Sequence, residues 1–395
     1  MERDLRESPL YREVEEHFRK LYEPGFGKVT EPADPRPSPD GRWVAFTGGR
    51  WEKLEGTPKT RICLAPTRAE GGGAAAREIS SGPEHDAGPR WSPDARRLSF
   101  LSDRRERGRM QLHLLAVDGV GEAEALPEIE GTIEDHSWSP DGSRILVLAA
   151  GLHADSAGAE GSGALESEKD LPDWTPRVDS SEDRQVWRRL WVVEISTGDI
   201  RALSRDDLNV WEADWCGERA VVAVASEDPG ESAWYTAPLV LIDVANGEDQ
   251  VIAKSDVQFG LPSGAPDGSR VTAIEAPCSD RQLVSGSVLI VGADGTGDRR
   301  VEIEDADITW AGFRGDGRLA YTALRRGDTL FGHIDPATGD RDELWSTADA
   351  VGAWAPYAAP FGKDGFAFVR QGFDRPPEVA VLEGGSSRTI ASFHH

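Results

Sequence analysis

Trp138-Ser-Pro-Asp-Gly-Ser-Arg-Ile-Leu-Val147 is the stretch that decides the fold. Proline presets φ for the first central position of a tight turn, and Asp-Gly supplies the reversal. The apolar run that follows resumes as a strand. Two further copies are plain, Pro37-Ser-Pro-Asp-Gly-Arg-Trp-Val-Ala-Phe46 and Trp91-Ser-Pro-Asp-Ala-Arg-Arg-Leu-Ser-Phe100. Four degraded copies keep the order of strand, turn and strand: Trp215-Cys-Gly-Glu-Arg-Ala-Val-Val, Ala265-Pro-Asp-Gly-Ser-Arg-Val-Thr, Phe313-Arg-Gly-Asp-Gly-Arg-Leu-Ala and Phe361-Gly-Lys-Asp-Gly-Phe-Ala-Phe.

The turn positions Pro39, Pro93, Pro140, Gly217, Pro266, Gly315 and Lys363 lie 54, 47, 77, 49, 49 and 48 residues apart. A period of about 50 residues fits four short strands with their connections, which is one propeller blade. An outer strand pair follows each hairpin, as in Leu190-Trp-Val-Val-Glu-Ile-Ser-Thr-Gly-Asp-Ile-Arg-Ala-Leu203, Val240-Leu-Ile-Asp-Val-Ala-Asn-Gly-Glu248 and His333-Ile-Asp-Pro-Ala-Thr-Gly-Asp340. Glycine in these turns admits φ > 0 and lets the chain reverse. Seven copies predict an all-β, seven-bladed propeller of four-stranded antiparallel blades over residues 31–395, preceded by a helical arm over 1–30.

Composition agrees. The 43 glycines and 25 prolines are spread along all 395 residues, and 13 tryptophans against two methionines suit sheets rather than packed helices. The formal net charge of −26 repels phosphate backbones and anionic lipid, which argues against nucleic-acid or membrane-surface partners. Cys63, Cys216 and Cys278 are odd in number and far apart, so neither a disulfide framework nor a zinc knuckle is expected. The first residues have no apolar signal region, and no run of 18 apolar residues occurs, which predicts a cytoplasmic protein.

Ahead of the first blade, Ser8 can cap a helix with Pro9 at its first position. Leu10, Val14, Phe18 and Leu21 then form one apolar stripe that stops before Pro24-Gly25. Such a stripe either covers the propeller or docks on a partner. The 77-residue spacing holds an insertion at about 153–184, whose first half is small and polar and is expected to be a surface loop.

Several segments together resemble the acylaminoacyl-peptidase and dipeptidyl-aminopeptidase branch of the prolyl oligopeptidase (S9) family of serine peptidases. They are Leu10-Tyr-Arg-Glu-Val14, Tyr22-Glu-Pro-Gly-Phe-Gly27, Asn209-Val-Trp-Glu-Ala-Asp-Trp215, Ser279-Asp-Arg-Gln-Leu-Val-Ser-Gly286 and Pro376-Pro-Glu-Val-Ala-Val-Leu382, along with the Ser-Pro-Asp-Gly hairpin. The likeness covers the family's propeller half. That family's chemistry needs a Gly-x-Ser-x-Gly elbow with Asp and His on an α/β-hydrolase sheet, and no Gly-x-Ser-x-Gly occurs in these 395 residues. The nearest approaches, Gly161-Ser-Gly and Ser285-Gly-Ser287, lack the strand-to-helix setting. The resemblance therefore implies a non-catalytic propeller that gates and helps bind a peptide-like substrate for an α/β-hydrolase supplied separately. A stand-alone TolB-like scaffold for protein–protein interaction is the alternative.

No residue is expected to be catalytic, and no cofactor or metal is implied. His85 and His136, with Asp86 or Asp135, are the candidate metal ligands, but their offsets from the hairpins do not match. Trp211 and Glu212 open the fourth blade's inner strand and are expected to line the channel. Arg188, with Arg189, follows the insertion, and Asp280-Arg281 follows the fifth hairpin. Acidic groups suit a peptide's free ammonium and arginine suits its carbonyl or carboxylate, so Trp211, Glu212, Asp280, Arg281 and Arg188 are the candidate substrate-binding residues. Leu10, Val14, Phe18 and Leu21 are the candidate partner-docking residues.

Overall fold

The computed structural model describes residues 5–68, 76–117, 122–152, 154, 186–277, 285–352 and 355–393. Seven antiparallel sheets follow one another along the chain, spanning 29–78, 86–125, 132–202, 209–253, 258–301, 307–347 and 350–392. Six have four strands in sequence order, and every predicted hairpin joins the inner two strands of its blade. The seventh departs from the template. Its inner strand is split into Ala350–Val351 and Ala359–Phe361, which both pair with Gly365–Gly372 and make a five-stranded sheet. Gly352 at φ 74° and Pro356, which has no amide hydrogen, lie in the break.

The repeat motif is stabilised within itself. In the three intact copies the serine hydroxyl (Ser38, Ser92, Ser139) donates to the aspartate two residues on at 2.6 Å. The same hydroxyl accepts the amide of the residue five on at 3.0 Å. The fourth turn position takes positive φ, at 71° for Gly41 and Gly142 and 59° for Ala95. Tryptophan at the head of the motif joins blades. Trp91 Nε1 donates to the Arg36 carbonyl (2.9 Å), Trp138 Nε1 to that of Arg90 (3.2 Å) and Trp215 Nε1 to that of Ser137 (3.1 Å), each in the preceding blade.

The core lies between blades, not within them. Leu146, Leu190 and Val192 of the third blade pack on Val210, Trp215, Val221 and Val240 of the fourth, and the pattern recurs around the ring. Among the described residues no strand is exchanged to close it. Val44, Phe46 and Cys63 of the first blade instead pack against Val369, Val379, Ile390 and Phe393 of the last. The Arg388 guanidinium also donates to the Thr67 carbonyl across that seam.

All six continuous inner strands carry a β-bulge, between Ala33 and Arg36, Ala87 and Arg90, Ile133 and Asp135, Val210 and Glu212, Gly260 and Ser263, and Ile308 and Trp310. Bulges twist a strand and re-aim its side chains. Here they set which residues turn toward the axis and which wedge between blades.

Candidate functional site: the crossover face and the channel beneath it

Four antiparallel strands in sequence order place the Ser-Pro-Asp hairpins and the outermost turns on one face of the ring. The loops joining second to third strands, and the crossings to the next blade, lie on the other. The strand ends at Ala150 and Ala276 both lie on this crossover face. So does the N-terminal arm, because the first inner strand starts there and the Gly27 amide donates to the Trp51 carbonyl in the first such loop (2.8 Å).

The arm is helix α1 (Pro9–Tyr22), capped by Ser8, whose hydroxyl accepts the Tyr11 amide at 3.2 Å. None of its residues is buried: Leu10 is 70% exposed, Val14 45%, Phe18 46% and Leu21 63%. The stripe does not cover the propeller. Five further large apolar side chains are exposed among the described residues of the propeller, and four lie in or beside crossover-face loops: Leu54, Leu152, Leu324 and the fully exposed Phe373. The fifth, Val251, is on an outer strand. Apolar exposure is thus concentrated on the face that carries the arm, as at an interaction surface.

Beneath this face the structure brings together two of the residues singled out from sequence. Arg188 pairs with Glu134 through Nε (2.9 Å) and Nη2 (3.2 Å), lies over the Trp211 ring at 5.3 Å, and gives its backbone amide to Asn209 Oδ1 at 2.7 Å. Trp211 in turn stacks on Trp234 at 5.7 Å. The Arg188 side chain is 3% exposed and that of Glu134 10%. Burial pushes the Glu134 carboxyl up, and the Arg188 charge opposes that rise. Trp211 is the inserted residue of its bulge. Instead of lining open channel, it is wedged between the fourth and fifth blades with Val222, Trp234 and Phe259. Glu212 accepts the amide of Leu261, a bulge residue at φ 52°, and so ties the fourth inner strand to the fifth. Arg189 pairs outward with Asp206. Asp280 and Arg281 lie outside the described residues, as does nearly all of the 153–184 insertion. Glu134 and Trp234 carry no motif in the sequence; only the bulge and the loop geometry reveal them.

His85 and His136 are accounted for by packing. His85 Nδ1 is 3.4 Å from Thr60 Oγ1, and no cluster of three or more metal-ligating side chains occurs among the described residues. His136 Nε2 meets Ser99 Oγ at 2.9 Å, a serine–imidazole pair in isolation. Both residues are buried between the second and third blades, and Ser99 also receives the Trp138 indole N–H at 2.9 Å. Among the described residues nothing partners His136 Nδ1, so no carboxylate there orients the ring. Burial, with the charge of Arg90, lowers the imidazole pKa to about 3. This pair is structural. A nucleophile needs access and an oriented base, and it has neither.

The class this defines is a seven-bladed β-propeller whose first and last blades meet by packing, with an N-terminal helical arm that stands clear of the ring. Comparison with known proteins agrees. The chain superposes on the acylaminoacyl peptidase of Pyrococcus horikoshii over 92% of its length (TM-score 0.61, 17% identity), covering 52% of that protein. It superposes on a puromycin-hydrolyzing peptidase of Mycobacterium tuberculosis over 93% (TM-score 0.63, 16% identity), covering 54%. The β-propeller domain of the Trilobed protease of Pyrococcus furiosus, described as an open velcro topology, is matched over its entire length (TM-score 0.60, 14% identity). In sequence, 122 residues are 32% identical to an uncharacterized peptidase, YuxL, of Bacillus subtilis, a span of 31% of this chain and 18% of that protein. No protein-family model matches the chain. The chain thus has the fold of acylaminoacyl-peptidase propellers and spans about half the length of the peptidases it superposes on.

Proposed function

We propose that the chain is the propeller portion of a serine peptidase of the acylaminoacyl-peptidase type, working with an α/β-hydrolase supplied outside these 395 residues. The single observation that carries this reading is the crossover face. It presents the bare stripe Leu10, Val14, Phe18 and Leu21 together with Leu54, Leu152 and Phe373, as a surface built to be covered. In this reading α1 straps the hydrolase, and the channel admits peptide-like substrate from the opposite side. The Arg188–Glu134–Trp211 cluster braces the rim next to the active site rather than binding ligand in the free ring. Among the described residues no helix is long and apolar enough to cross a membrane, which fits a cytoplasmic complex.

The test is turnover. The 395-residue chain alone is expected to hydrolyse no acyl-peptide or aminoacyl p-nitroanilide and to take no label from a fluorophosphonate. Material recovered from the native host through this chain should do both. Loss of that labelled hydrolase on Phe18→Asp, with the propeller still folded, supports the strap. Retention of hydrolase by Phe18→Asp and Leu10→Asp together would remove it. Recovery of the chain alone, without hydrolase activity, would favour the scaffold reading.

A further inference from the structure

The hairpin face carries a cavity of about 350 Å3 at the channel mouth, between the seventh, first, second and third blades. That volume lies at the lower end of the range of small-ligand clefts. Its wall is apolar and rigid, made by Pro39, Pro93, Pro140 and Pro360 from four blades, and two guanidinium groups, Arg36 and Arg90, reach it from the inner strands.

The arginines are fixed from below. Asp34 Oδ1 accepts from Arg36 Nε and Nη2, both at 2.7 Å, and its Oδ2 accepts from Arg90 Nη1 at 2.6 Å. Arg90 Nη2 reaches Asp135 at 3.1 Å. Burial opposes the Asp34 charge, but the two arginines outweigh it and hold the carboxyl at about 2, so this scaffold keeps its charges. Arg36 Nη1 and Arg90 Nε then donate to no group among the described residues. Beside them the Tyr357 ring lies under the Arg36 guanidinium at 5.0 Å, and its buried hydroxyl has no hydrogen-bond partner among the described residues. Arg36 and Arg90 both line the cavity, so Arg36 Nη1 and Arg90 Nε are left to solvent or to a ligand. Both can only donate. What completes them is an acceptor, and next to arginine the best acceptor is an anion with planar oxygens.

We infer that this mouth binds a carboxylate attached to a small apolar body, as at the carboxyl end of a peptide, with the carboxylate on Arg36 and Arg90 and the body against the prolines. The site lies on the face opposite the arm and is tested on the chain alone, so it stands or falls separately from the hydrolase reading.

The probe is N-acetyl-Ala-Pro with a free carboxylate, titrated by calorimetry and by tryptophan fluorescence, since Trp91 and Trp138 line the cavity. The same dipeptide as its amide is the control. The acid is expected to bind saturably and the amide roughly tenfold or more weaker, the scale of one lost hydrogen bond to a charged group. Arg36→Gln should remove that preference. Because Arg36→Gln also frees one side of Asp34, Arg36→Lys is the second variant; it keeps the charge beside Asp34 but loses the planar fork, and should weaken the acid several-fold while leaving the amide unchanged. Equal binding of acid and amide, no saturable binding of the acid, or acid-selective binding that survives both substitutions would each overturn the assignment.

Discussion

Replacing Asp214 with asparagine should make the propeller more stable at neutral pH and leave it unchanged in mild acid. Asp214 sits at the fourth inner strand, where the fifth blade packs so closely that a Cβ on Gly264 would lie 2.3 Å from the Trp215 carbonyl oxygen. Burial pushes its carboxyl up to about 6 from a model-compound value of 3.8. The Trp215 amide at 2.9 Å and the Ser263 hydroxyl at 3.1 Å oppose the rise, as does the Gly264 amide, while the negative charge of Asp135 adds to it. A shift of this size corresponds to about 3 kcal/mol, and partial exposure reduces the expected effect to about 2 kcal/mol. The sign follows from proton counting. Between about pH 4 and pH 6 the native chain holds a proton that the unfolded chain has released, so stability falls as pH rises through that window and stays reduced above it. Asparagine removes the titration. Its Oδ1 can accept from Trp215 and its Nδ2 can donate to Ser263, so both hydrogen bonds persist. Urea unfolding of both proteins at about pH 4 and about pH 7.5 measures the difference, which should be near zero in acid and about 2 kcal/mol in favour of asparagine at the higher pH. A pH-independent difference, or a less stable variant at the higher pH, would refute the reasoning.

Three more substitutions probe the frame. Arg188→Ala leaves the Glu134 carboxylate buried without its partner and should cost about 3–5 kcal/mol, read by denaturant midpoint. Phe393→Ala empties the seam between last and first blades, where Phe393 meets Phe46 edge-on at 5.7 Å. A loss of about 3–5 kcal/mol is expected, with proteolytic cutting that begins at those two blades. Ala95→Gly relieves a left-handed residue at φ 59° in the second hairpin and should raise stability by up to about 1 kcal/mol, seen as a small increase in Tm.

The ring was legible because its turns are encoded locally. Ser-Pro-Asp-Gly carries its own hydrogen bonds, and the heading tryptophan reports a contact one blade away, so spacing alone counts the blades. The seventh inner strand was less legible, because Gly352 and Pro356 break a strand that the hairpin at Lys363 implies to be whole. The arm was legible as a helix, and its apolar stripe was legible as a stripe. That it stands clear of the ring was not, since the same pattern suits a helix packed on a propeller. The site was legible only in fragments. Arg188 and Trp211 were visible as departures from the blade template, but a bulge buries Trp211 and Glu134 claims Arg188, and bulges leave no signature in the residues that form them. Glu212 likewise looked like a channel carboxylate, whereas its oxygen is committed to the Leu261 amide. The Asp34–Arg36–Arg90–Tyr357 group spans three blades and nearly the full sequence, a proximity that only ring closure creates.

The most direct measurement is a native mass spectrum of this polypeptide isolated from its own host, followed by fluorophosphonate labelling of each dissociated species. The propeller reading predicts a labelled serine hydrolase bound to these 395 residues or continuous with them, released or destabilised by Leu10→Asp with Phe18→Asp. A lone, unlabelled polypeptide of this length, unaffected by those substitutions, would contradict it.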